Sequence, residues 1–174
     1  MDYRKLLVAA ALAAGLSAPA QAVPVSAAPD ATGRALILVP LTLTKIDDLA
    51  FGTIVPSASV SGTVTINATT GARSVTGGVA AYPSDFGHRA YFGGAGSPNQ
   101  QVIVAVTAPD ELTSTTNSAD KIPVLALTLD GSPIRSINPT TRTFFFGVGG
   151  VIEIGANQPE GLYESTFEVT ATYL

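Results

Sequence analysis

Apolar and polar residues alternate with a period of two along much of this chain. Val64 and Ile66 share one face of residues 62–67, and three valines share one face of residues 101–107. A helical period is hard to find after residue 22. About eight to ten short segments of this kind, separated by turn residues, predict an all-β domain of the sandwich or barrel type.

Glycine, proline and polar clusters interrupt the alternation and predict where strands end. The interruptions predict a glycine loop at residues 93–96, a polar loop at residues 108–120 and a hairpin around Gly149-Gly150. Residues 34–43 form a dense apolar run, in which Pro40 predicts an edge strand or a bulge. Another strand is predicted to begin at residues 49–54.

The first 22 residues have the pattern of a secretory signal peptide. Arg4 and Lys5 precede an apolar run at residues 6–16, and Ala20-Gln21-Ala22 follows it. The run is shorter than the roughly 20 residues that span a bilayer. The alternative, an N-terminal helix of the mature fold, lacks a helical partner downstream. We therefore expect cleavage after Ala22 and export through the periplasm to the cell surface or the medium, with no transmembrane segment in the mature chain.

Composition excludes several classes of partner and site. The chain has no Cys, so disulfides and thiolate metal sites are excluded, and stability must come from core burial and strand pairing. The formal net charge is −4, and the basic residues are not clustered. Binding to nucleic acid needs clustered Lys and Arg, so nucleic acid is not an expected partner, and neither is anionic lipid.

Residues suited to catalysis or metal binding are few. His88 is the single His, whereas a His-based metal site needs two or three imidazoles, so a loop His is the expected reading. A Ser–His–Asp triad through His88 has no local support. Asp47-Asp48 and Asp110-Glu111 are adjacent carboxylates, which favours solvated turns, with weak calcium binding as the alternative. We expect no cofactor and no enzymatic activity.

The C-terminal segment has one apolar face and one polar face. The apolar face holds Tyr163, Phe167, Val169, Ala171 and Tyr173. Glu and Thr residues occupy the other positions, with Ser165 as a small member of the apolar parity. The pattern predicts a strand over residues 163–173, which exceeds the usual five or six residues and is expected to pair in a sheet.

Two resemblances follow from these motifs. Gly161 lies fourteenth from the end of this sequence and Tyr173 is penultimate, which resembles the C-terminal zipper of chaperone–usher pilus subunits. The segment is also similar to the C-terminus of spore-coat-U-like secreted proteins. Residues 40–44, 48–54 and 155–163 resemble a proteobacterial secreted family catalogued only as a domain of unknown function.

The pilus resemblance implies a fold and an assembly mechanism. It implies an immunoglobulin-like, pilin-like β-sandwich in residues 34–174, lacking one strand and preceded by an extension at residues 23–33. A periplasmic chaperone would fill the gap, and at the outer-membrane usher the extension of another subunit would replace it. The implied assembly interface is Gly161, Tyr163, Phe167, Val169, Ala171 and Tyr173, and the implied donor residues are Val23, Val25 and Ala27.

The chain departs from the pilus pattern in two respects. Most pilus subunits have a disulfide, and this chain has no Cys. Pro24 and Pro29 remove backbone donors from the extension. Two functions therefore stay open: a structural subunit of a surface fibre, and a self-complete secreted sandwich that binds glycan or protein through residues 82–96.

Overall fold

The computed structural model of this protein describes residues 24–174. Residues 24–36 belong to one compact unit, in which they form no strand, and Ile37–Leu174 form a second unit. The predicted signal peptide and the candidate donor residue Val23 lie outside the described residues. Within the described part of the chain, no helix is long and apolar enough to cross a membrane.

The second unit is all-β, as the alternation predicts, and its thirteen strands pair in antiparallel fashion. The strands are β1 (Thr42–Asp47), β2 (Ile54–Val55), β3 (Gly62–Ile66), β4 (Arg73–Val75), β5 (Ala80–Ala81), β6 (Ala90–Ala95), β7 (Gln101–Thr107), β8 (Glu111–Ser114), β9 (Lys121–Leu129), β10 (Ile134–Ser136), β11 (Thr143–Ile154), β12 (Tyr163–Glu164) and β13 (Glu168–Tyr173).

Two main sheets form a sandwich. The larger sheet has the order β1-β6-β11-β9-β8-β12, and the smaller has the order β10-β7-β13. The long strand β11 pairs with β6 through residues 143–148 and with β3 through residues 150–154, and β3 also pairs with β4. The short strands β2 and β5 form a separate pair.

Alternate side chains of the two sheets meet in the core. The first cluster contains Ala90, Phe92, Val102, Val104, Ile137, Phe144, Phe146 and Val148. Within it the rings of Phe92 and Phe146 stack with centroids 5.3 Å apart, and Phe167 meets Phe92 edge-on at 6.2 Å. A second cluster contains Val64, Val79, Ile122, Ile152 and Ile154. Except for Val79 and Ile137, which lie outside the strands, these side chains come from the period-two positions of the sequence.

The predictions from glycine clusters were wrong at two places. Residues 93–95 belong to β6, because they pair with β1 on one side and with β11 on the other, and the ring of Phe145 lies where a side chain at position 93 would project. Residues 149 and 150 lie inside the continuous strand β11 and form no hairpin. A Cβ atom at Gly149 would lie 2.2 Å from the carbonyl oxygen of Ile66, so glycine serves a close approach of backbones here.

Other boundaries also differ from expectation. The strand predicted over residues 163–173 is divided into β12 and β13, because its two ends pair with strands of different sheets. The polar loop at residues 108–120 contains β8, which pairs with β9. Of residues 34–43, only the last two lie in a strand. Residues 49–54 contribute an isolated bridge between Ala50 and His88 before β2 begins.

Candidate functional site

Two strand edges border an opening between the sheets. In the described part of the chain, β1 pairs only with β6, and β13 pairs only with β7. A groove of about 330 Å³ lies between them, lined by Leu43, Lys45 and Phe92 on one side and by Phe167 and Val169 on the other. An edge strand presents unpaired N–H and C=O groups, which can pair with another strand.

A larger groove of about 1010 Å³ continues from the first and shares Asp48 and residues 165–167 with it. One side is formed by residues 48–54 and the other by residues 158–167. Its floor consists of Leu112, Ile122, Val124, Leu127, Ile152 and Ile154. Several of these apolar side chains are only half-buried, so the second core cluster is not fully covered.

The hydrogen bonds of β13 decide which backbone groups face the opening. The N–H of Leu174 donates to the carbonyl oxygen of Gln101 at 3.0 Å. Leu174 and Gln101 lie opposite each other, so they are a hydrogen-bonded pair of the ladder between β13 and β7. In an antiparallel pair the bonded positions alternate. The residues of β13 whose N–H and C=O groups point away from β7 are therefore Val169, Ala171 and Tyr173.

The Tyr173 hydroxyl joins the two edges at one end of the opening. It donates a hydrogen bond to the carbonyl oxygen of Val39 at 2.8 Å and accepts one from the N–H of Ser97 at 2.7 Å. The N–H of Val39 in turn donates to Oγ of Ser97 at 2.8 Å. Ser97 is buried, so the bonds made by its N–H and its Oγ satisfy polar groups that water does not reach.

Arg73 and Asp85 hold the segment that forms one lip of the larger groove. Nη1 of Arg73 donates to the carbonyl oxygens of Phe51 at 3.0 Å and Thr53 at 3.1 Å. Asp85 accepts a 2.7 Å hydrogen bond from the Thr53 hydroxyl, and this bond is the main cause that holds the pKa of Asp85 below its usual value. Gly52 lies between these groups at φ +73°, where a Cβ would lie 2.7 Å from the carbonyl oxygen of Asp85.

The charged residues lining the larger groove are acidic. They are Asp48, Asp85, Glu160 and Glu164. Lys45 lines the smaller groove, and its ammonium group lies 2.5 Å from a carboxylate oxygen of Asp48. The rim is therefore negative overall, which favours an occupant that carries positive charge.

The structure places the sequence-predicted interface residues along one side of this opening. Gly161 and Tyr163 line the larger groove, and Phe167 and Val169 line the smaller one. Ala171 and Tyr173 pack against the first core cluster toward the end joined by the Tyr173 hydroxyl. Of the predicted donor residues, Val25 and Ala27 are exposed in residues 24–36.

The opposite wall was not identified from the sequence. It includes Leu43 and Phe51, which lie more than 110 residues before β13 in the chain. Their apolar character and alternation are ordinary for core residues, so no sequence signal separates them from fully covered positions.

The candidate catalytic residues are not brought together. His88 is exposed, with Nδ1 3.3 Å from the carbonyl oxygen of Arg89. Asp48 pairs with Lys45, and Glu111 pairs with Lys121. Across residues 24–174, no group of three or more His, Asp or Glu side chains is arranged to hold a metal ion.

An aromatic row lies on the outer face of the larger sheet. The rings of Tyr91 and Phe145 are nearly parallel, with centroids 5.9 Å apart, and the Arg89 guanidinium lies 5.2 Å from the Tyr91 centroid. Phe145 is half exposed. The row falls partly within residues 82–96, the region that the sequence offers as a binding surface.

The family comparison covers the same region as the sandwich. A family model described as "Domain of unknown function (DUF4402)" matches residues 41–173, from just before β1 to the end of β13. No curated protein and no solved structure matches the chain. Because the matched region covers well over half of the sequence, the chain belongs to this family of unknown function, DUF4402.

Proposed function

We propose that this protein is a non-enzymatic structural subunit of a bacterial cell-surface fibre that assembles by β-strand addition. The observation that supports the proposal is the opening between the free edges of β1 and β13, which is lined by Leu43, Phe92, Phe167 and Val169 together with Lys45, Asp48, Ser165 and Thr166. A strand placed there would bond to the outward backbone groups of β13 and cover the half-buried side chains behind it.

The energy available from such a strand is comparable with the stability of a whole domain. Each apolar side chain that becomes buried contributes about 1.5–3 kcal/mol. A strand that inserts about five side chains therefore contributes on the order of 10 kcal/mol, while domains are stable by about 5–15 kcal/mol. The subunit should be marginally stable alone and very stable when the opening is filled.

Export and assembly fit one sequence of events under this proposal. A periplasmic chaperone would place its own strand in the opening during transit, and a strand from another subunit would replace it at an outer-membrane usher. The chain has no Cys to supply covalent stabilisation. Occupancy of the opening would then add to the stability that core burial and strand pairing supply within each subunit.

The test compares two charged substitutions on adjacent residues of β13. Val169 faces the opening and Thr170 is exposed on the other face. Exported wild-type protein should give a ladder of oligomers on unheated denaturing gels, and the ladder should collapse on boiling. Val169→Asp should abolish the ladder because it places a charge in the apolar opening, whereas Thr170→Asp should retain it.

A second measurement separates loss of assembly from loss of folding. Circular dichroism should show strand structure in Val169→Asp at low concentration. If wild-type protein is a heat-stable monomer at all concentrations, the fibre proposal is wrong.

The aromatic row supports a second candidate function. Arg89, Tyr91 and Phe145 form a half-exposed surface outside the core, and aromatic rings with a nearby polar group are suited to binding glycan or protein. In that case the protein would be a self-complete secreted sandwich. Tyr91→Ala would then remove ligand binding, while Val169→Asp would lower stability without affecting an assembly.

A further inference from the structure

A largely exposed apolar run lies before β1 and ends at Val39, whose backbone is hydrogen-bonded within the sandwich. Residues 35–39 are all apolar; the exposed fractions of Leu36, Ile37 and Val39 are 77%, 91% and 45%, whereas Leu38 is half-buried. Within the described residues this run pairs with no strand. Contiguous exposed apolar residues are unusual on a soluble protein and mark a surface that another element covers.

The run also has the backbone chemistry of a strand. Residues 34–39 contain no proline, so every residue retains its N–H donor. The extension at residues 23–33 contains Pro24 and Pro29, which lack that donor. A continuous apolar sequence without proline is typical of a strand that is covered by other elements.

Val39 is the residue at which the backbone of the run is hydrogen-bonded to its own sandwich. Its N–H and C=O are both bonded within the sandwich, to Ser97 and Tyr173. Residues 34–38 lie immediately before this anchor, so they can extend toward a neighbour while the anchor remains in place. Arg34 at the start of the run complements the acidic rim of the larger groove.

We propose that residues 34–38 of one copy fill the opening between β1 and β13 of a second copy. This inference rests on the proposed function and specifies its donor. It assigns the donor role to residues 34–38 instead of Val23, Val25 and Ala27. The segment bound in the opening is thus an apolar segment from a second molecule of the same protein.

The absence of Cys allows a direct cross-linking test with two full-length populations. One population carries Val169→Cys and a tag, and the other carries Cys at position 35, 36, 37 or 38 with a different tag. After mixing and mild oxidation, disulfide-linked heterodimers should form with a two-residue period along the scan, because alternate residues of a strand face the same side. Val25→Cys is the matched control and should give little product.

A charge variant provides the second readout. Leu36→Asp combined with Ile37→Asp should reduce the oligomer ladder roughly a hundredfold or more, whichever of the two side chains faces the opening. Val25→Asp combined with Ala27→Asp should leave the ladder unchanged.

The outcomes separate this inference from the proposed function. Cross-linking through Val25→Cys but not through positions 35–38 would overturn the donor assignment and leave strand addition standing. A monomer containing both Val169→Cys and Leu36→Cys that closes an internal disulfide would show that the run fills its own opening, and would overturn the intermolecular donor. A monomeric wild-type protein with no product at any position would overturn both.

Discussion

At the residue scale, Tyr173 shows how one hydroxyl group can join two sheets. Its ring packs against the core, while its hydroxyl both donates to Val39 and accepts from the buried Ser97. Tyr173→Phe should lower the free energy of unfolding by about 1–3 kcal/mol, because it leaves a buried N–H without an acceptor.

Urea unfolding of the separated monomer measures this change. Tyr82→Phe, at a ring that is about half exposed, serves as the control and should change stability little. An unchanged midpoint in Tyr173→Phe would show that the hydroxyl is not needed to join the edges.

Asp85 predicts a pH dependence of stability at the lip of the larger groove. Its pKa is lowered chiefly by the hydrogen bond from Thr53, with smaller contributions from the Gly87 N–H and the Arg73 charge, against a raising effect of desolvation. A lowered folded-state pKa stabilises the fold above the unfolded pKa of about 4, and this stabilisation is lost as pH falls through the folded value.

The measurement is urea unfolding of the wild type and Asp85→Asn across pH 2–7, where the range brackets the usual carboxyl pKa of about 4. The stability difference between the two proteins should be constant near neutral pH and should shrink below about pH 4. A difference that does not depend on pH would contradict a role for the ionised carboxylate.

At the element scale, substitutions at adjacent residues of β13 are expected to affect assembly and folding separately. The N–H of Ala171 faces the open edge, whereas the N–H of Thr170 faces β7. Ala171→Pro should therefore preserve the bonds to β7 and block strand addition, while Thr170→Pro should lose a bond within the sheet and about 1–3 kcal/mol of stability.

Oligomer ladders and circular dichroism, measured on the same samples, distinguish the two effects. A ladder of wild-type intensity from Ala171→Pro would show that the outward groups of β13 do not take part in assembly.

Strands were predicted well where apolar and polar side chains alternate, and poorly where glycines are compatible with either a turn or a strand. The inward parity of Val169 and Ala171 follows directly from the sequence, and the structure confirms it. Gly149 and Gly150 equally suit a turn or a close approach between strands. The position of β3 beside β11 shows that they serve a close approach between strands, because the Ile66 carbonyl occupies the space of a side chain at position 149.

At the scale of the whole molecule, the candidate site is a consequence of how the sheets end. The opening exists because β1 terminates one sheet and β13 terminates the other, so apolar residues from both lie at an uncovered border. The same arrangement leaves apolar side chains uncovered on one face of the protein, which lowers its stability and also offers an interface. A strand from another molecule would cover these side chains and pair with the free edges, and would thereby complete the sandwich.

The sequence by itself determined the all-β class, the inward parity of the last strand and the absence of thiol chemistry. These properties are local, because alternation and composition are read within a few residues. Only the tertiary structure decided which edges remain open, since the paired residues of β7 and β13 are 61 to 71 positions apart in the chain (107 with 168, 102 with 173) and β1 meets the border from the far end of the chain. Pairing between distant strands depends on the packing of the whole domain, and no short segment carries that information.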